Sequence, residues 1–239
     1  MQKDTLTEVV KMPIEKVFSE QDIQELIDAN GEPKYGPRNI ALIIAASYWG
    51  LTRIEMCELP LKAIMSKSGE WYRRWVLPGE VSYTGEPREL CTGDHVVEAL
   101  DSYVDWLKQH KVGGTNIQAY RGLDPDMAFL VNDKLGPYRL TKRSKKLPSG
   151  KVSYQPRSLD DKLKSLIANT SIKGATVTTF RDSWVKMMYD NGCGYNELKA
   201  VSGIKSKVTL ELKIRPQERE LQKVFDSVFS RVHTNVEQK

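Results

Sequence analysis

The sequence predicts a mainly α-helical fold with a small antiparallel β-sheet, an α+β class. Three observations carry this. Apolar residues recur at helical spacing, as at Val97, Leu100, Val104 and Leu107. Cap residues open the periodic segments, as in Ser19-Glu-Gln-Asp22. Between residues 71 and 91 the texture turns aromatic and is broken by Gly and Pro turn signals.

Taken in order, residues 1–17 show no strong pattern and read as an N-terminal arm. The Ser19–Asp22 capping box opens a helix through Ala29, which Asn30-Gly31 stops. Residues 33–37 form a linker. Residues 38–49 are nearly all apolar after the first two, which predicts a buried helix. Gly50 breaks it, Thr52 caps the next, and residues 53–59 form a short helix before Pro60. Residues 71–77 and 87–91 read as strands, with 80–83 a candidate third, before the Thr84-Gly85-Glu86-Pro87 turn. Asp94 caps a helix carrying Leu100 and Val104. Pro148-Ser-Gly150 is a turn suited to the tip of a hairpin. Further helices are predicted over 158–169, 179–191 and 195–202. A last one follows Pro216, with Leu221, Val224, Phe225, Val228 and Phe229 on one face.

Composition excludes several function classes. A chain of 239 residues, 40% hydrophobic and 28% charged, buries a sizeable core and is neither fibrous nor wholly disordered. Its longest apolar run, residues 40–46, is far short of a membrane span, so no membrane partner is expected. The start of the chain lacks an apolar signal core, which points to the cytoplasm. Cys57, Cys91 and Cys193 are odd in number and widely spaced, so they form no disulfide framework and no metal motif. Only His95, His110 and His233 are available for imidazole chemistry. Neither metal nor other cofactor is expected.

The charge is concentrated. Lys134, Arg139, Lys142, Arg143, Lys145, Lys146, Lys151 and Arg157 lie in a segment, residues 134–159, that holds no acid. They are eight of 36 basic residues, so the remaining 28 face 31 acids, and this segment carries the whole positive excess. Such a stretch in a near-neutral body is the footprint of phosphate-backbone contact; its plain alternative is a solvated loop.

Four pieces, in order, resemble the catalytic domain of the tyrosine recombinase (phage integrase) family. Residues 18–26 are similar to its first helix. Gly50-Leu-Thr-Arg53-Ile-Glu-Met-Cys-Glu-Leu59 resembles the segment bearing its first catalytic arginine. Residues 83–90 resemble the hairpin that presents its lysine. Thr178-Thr-Phe-Arg181 and the following 195–203 segment resemble the His-x-x-Arg box and the helix after it. The resemblance implies that residues 18–239 form such a domain, without a separate N-terminal core-binding domain. It also implies chemistry in which a tyrosine attacks a DNA phosphodiester while two arginines clamp the phosphate.

Carried over position by position, that chemistry is depleted. Arg53 and Arg181 match the two arginines, with one residue inserted before Arg53 and Met56 where the family often has a carboxylate. The lysine slot falls on Tyr83, the box histidine on Thr178 and the later His/Trp slot on Ile204. The nucleophile slot falls near Leu212 or Lys213, and no tyrosine follows Tyr195. An acid–base position contributes about 10²–10⁴-fold in rate, and the nucleophile is indispensable. The expectation is a non-catalytic, integrase-like protein with an accessory or regulatory role in DNA recombination or integration. It would bind double-stranded DNA through Arg53, Arg181, Arg139, Lys142, Arg143, Lys145, Lys146 and Lys151. Two alternatives stand beside it: a recombinase component completed by groups from a partner subunit, and an interaction scaffold that binds no DNA. The apolar stripe after Pro216 would dock on this chain, a second copy or another recombinase subunit.

Overall fold

The computed structural model describes residues 16–32, 34–142 and 153–215. Its chain order is α1 (Glu20–Ala29), α2 (Gly36–Ser47), α3 (Arg53–Glu58), β1 (Arg74–Leu77), β2 (Arg88–Cys91), α4 (Val97–Gln109), β3 (Thr141–Lys142), β4 (Tyr154–Gln155), α5 (Arg157–Ala168), α6 (Thr179–Asp190), α7 (Tyr195–Ser202) and α8 (Lys207–Ile214). Among these residues the α+β expectation holds: helices dominate, and the strands form two two-stranded antiparallel sheets.

Helix α2 is the centre. Its apolar run packs on α1, α4 and α6, and Ala41 to Ala46 are all buried. A helix apolar on every side is stable only when neighbours cover each side, and here they do. Gly50 turns the chain out of α2 with φ +57°, and a Cβ there would lie 2.2 Å from the Trp184 ring of α6. Only glycine fits that turn. Thr52 then caps α3 through a reciprocal box with Glu55.

In the first sheet Trp75 pairs with Leu90 and Leu77 with Arg88. Alternation turns Trp75, Leu77, Arg88 and Leu90 inward and leaves Arg74, Val76, Glu89 and Cys91 outward. Residues 80–83, a candidate strand by sequence, form turns instead, because the Val81 and Ser82 amides both donate to the Pro78 carbonyl. The sheet therefore has two strands. Asp94 does not cap as expected: α4 grows out of a 3₁₀ turn over Asp94–Val96. The helix predicted over 158–169 starts one residue earlier, after Pro156, with no side-chain cap. β3 and β4 pair across the basic segment as the hairpin reading requires. The Pro148–Gly150 tip, most of the N-terminal arm and the stripe after Pro216 lie outside the described residues.

Helix α8 was not foreseen. Lys207-Val-Thr-Leu-Glu-Leu-Lys-Ile214 alternates apolar and polar residues like a strand. Ser206 caps it by accepting from the Thr209 amide, and Leu210 and Ile214, one helical turn apart, are buried. Packing on α6 overrides the local pattern. Among the described residues no helix is long and apolar enough to cross a membrane.

Candidate functional site

The start of α3, the β1–β2 turn, the start of α6 and the α7–α8 junction converge on one open cleft of about 570 Å³. Arg53, Tyr83, Thr178, Arg181, Ile204 and Lys213 all line it. These are six of the seven positions singled out by resemblance; Leu212 is not on its wall and is 45% exposed.

Arg181 sits in the first turn of α6 and fastens two elements. Its terminal nitrogens donate to the Gly50 carbonyl, at the α2–α3 turn, and to the Ser202 carbonyl, at the end of α7. Its guanidinium lies 5.3 Å from the centre of the Tyr83 ring. Burial lowers its pKa, opposed by the nearby Glu55 charge, yet a guanidinium remains protonated. Arg53 behaves differently. It is 38% exposed and points to Asp160 of α5, 3.3 Å away.

Two residues that sequence reasoning did not single out as functional form a buried ion pair near Arg181. Glu55 is wholly buried and takes both terminal nitrogens of Arg88, with the second contact at 2.7 Å. It also accepts from the Thr52 amide at 2.7 Å and the Tyr83 amide at 3.1 Å. Burial alone would raise its pKa; the Arg88 contacts, the Thr52 amide and the Arg181 charge outweigh that and hold it below the ordinary carboxylate value. The Thr52-x-x-Glu55 cap was legible, but a partner 33 residues away was not. The site's buried carboxylate is thus Glu55, one position before Met56.

The remaining positions carry little proton chemistry. Tyr83 is 42% exposed, and its hydroxyl donates to the Gly203 carbonyl at 2.7 Å. Thr178 shares a 2.9 Å hydrogen bond with Thr176. Ile204 is an apolar, 7% exposed wall. Lys213 is ion-paired with Asp182 of α6, locking α8 to the residue after Arg181. Cys57 is on the buried face of α3, and burial pushes its thiol up to about 12, so it is no nucleophile at neutral pH.

Of the basic segment, Lys134, Arg139, Lys142 and Arg157 are described, and all four are exposed. Arg143, Lys145, Lys146 and Lys151 lie outside the described residues.

No protein-family model matches the chain, and no curated protein matches its sequence. Solved structures do match its fold. The XerA recombinase superposes with a TM-score of 0.64 at 16% identity, over 93% of this chain and 66% of that one. The XerH site-specific recombinase bound to palindromic difH substrate, a post-cleavage complex, gives 0.55 at 13% identity over 88% and 52%. The Tn1549 transposon integrase in complex with transposon right end DNA gives 0.53 at 12% identity over 92% and 68%. The chain thus spans about two thirds of XerA and half of XerH. Its fold is that of a tyrosine recombinase catalytic domain.

Proposed function

We propose that this chain is a recombinase-like DNA-binding protein that holds the phosphate backbone and does not cut it, acting in an accessory or regulatory role in recombination or integration. The observation that carries this reading is the cleft itself. It keeps arginines beside apolar or already engaged groups where proton donors and a nucleophile would be needed: Ile204 is apolar, Tyr83 donates to a carbonyl, and Lys213 is ion-paired. Taking Glu55 as the family's carboxylate removes the residue inserted before Arg53. Thr52 then stands in the first-arginine register, and Arg53 is turned toward Asp160. Arg181 still offers charge to a phosphate oxygen, and the exposed Arg139 and Lys142 extend the basic surface toward the rest of the 134–159 segment. The DNA-bound state of XerH and of the Tn1549 integrase supports the same partner.

Phosphate contacts position a protein without reading bases. Binding to a mixed-sequence duplex is therefore expected to weaken steadily with salt, with no cleavage of a nicked suicide duplex. A gel-shift series at several salt concentrations, beside a cleavage assay, tests both halves. Salt-independent binding or cleavage overturns the reading.

A further inference from the structure

The turn between β1 and β2 is strapped across the molecule to the α7–α8 junction. Tyr83 donates to the Gly203 carbonyl at 2.7 Å, and Lys205 Nζ donates to Glu86 at 2.8 Å, each across about 120 residues of sequence. Gly203, at φ +68°, lets the turn approach closely; a Cβ there would meet Thr84 at 3.4 Å and Tyr83 at 3.5 Å. Lys205 and Ile204 form a wall shared by two cavities. On one side lies the cleft; on the other lies a smaller cavity of about 270 Å³, which Asn196 and Lys199 also line.

Lys205 is thus the cation best placed to serve both spaces, and Glu86 holds it. Both groups are exposed, at 61% and 70%, so the pair is weak and its partners exchange readily with solvent. A carboxylate oxygen on an ammonium group has the same chemistry as a phosphate oxygen on it. Resting on the DNA-binding reading, we propose that the 84–87 turn is an autoinhibitory strap. Glu86 stands in for a backbone phosphate on Lys205, and opening the strap hands Lys205 to DNA.

The test uses the full chain and a labelled mixed-sequence duplex titrated at several salt concentrations. Glu86→Gln keeps the size of the side chain and removes its charge. It is expected to bind about two- to fivefold tighter, with a salt slope steeper by about 0.9, one added phosphate contact. Glu86→Gln combined with Lys205→Gln is expected to lose both gains. Glu89→Gln removes an exposed carboxylate that lines neither cavity and is expected to bind like the wild type. If Glu86→Gln matches a salt-sensitive wild type, or Glu89→Gln gives the same gain, the strap is overturned while the DNA-binding reading stands. A wild type that binds no duplex at low salt defeats both.

Discussion

The Arg88 guanidinium meets the Glu55 carboxylate with both terminal nitrogens, joining strand β2 to helix α3 in the interior. Neither side chain reaches solvent appreciably, at 4% and 0% exposure. Removing one partner of such a pair strands the other, at a cost of about 3–5 kcal/mol. Glu55→Ala is expected to lower the unfolding free energy by that order. Glu55→Leu with Arg88→Met is expected to recover part of the loss, since no charge is then left buried. Thermal or urea unfolding of the wild type and the two variants checks this. Single and double variants of equal stability would show that the pair is not what joins these elements.

The same carboxylate sets a pH dependence. Its pKa in the folded chain lies below the ordinary value of 4.5. Its contribution is therefore present above pH 4.5 and is lost as pH falls through the lowered value. Asp22, held low by Lys16 and Ser19 against its burial, acts in the same direction. The wild type is expected to lose stability below about pH 4.5 more steeply than Glu55→Gln. Unfolding curves at several acidic pH values measure it; parallel curves would contradict it.

Gly50→Ala tests the turn that places Arg181's carbonyl acceptor. The backbone there is left-handed and the added methyl meets the Trp184 ring. The variant is expected to lose at least about 1 kcal/mol from the conformation alone, with a further penalty from the clash. A thermal melt equal to the wild type would mean that the Trp184 packing yields at no cost.

Charge in the 134–159 segment should govern affinity. If about four of its cations touch phosphates, log K falls against log salt with a slope near −4, at about −0.9 per contact. Replacing Lys142, Arg143, Lys145 and Lys146 together with Ala is expected to flatten that slope and weaken binding on all sequences alike, with an unchanged melt. A wild-type slope in this variant would reduce the segment to a solvated loop.

Much of this was legible in the sequence because it was local. The apolar run of residues 40–46 gave α2, and the Ser19 box and the Thr52 cap gave the starts of α1 and α3. Order and spacing of motifs brought six of seven site positions to one cleft. What escaped depends on distant partners. Alternation in residues 207–214 says strand, and only burial of Leu210 and Ile214 makes it a helix. Residues 80–83 have strand composition, but turn hydrogen bonds to Pro78 claim them. Glu55 and Arg88 each looked ordinary, and their meaning arises from contact across the fold.

The most direct measurement combines the full chain with a nicked suicide duplex at low salt and runs each sample on native and denaturing gels. DNA binding without phosphotyrosyl chemistry predicts a shifted complex on the native gel that disappears completely under denaturation. A protein–DNA adduct that survives denaturation, mapped to any residue of this chain, would contradict it.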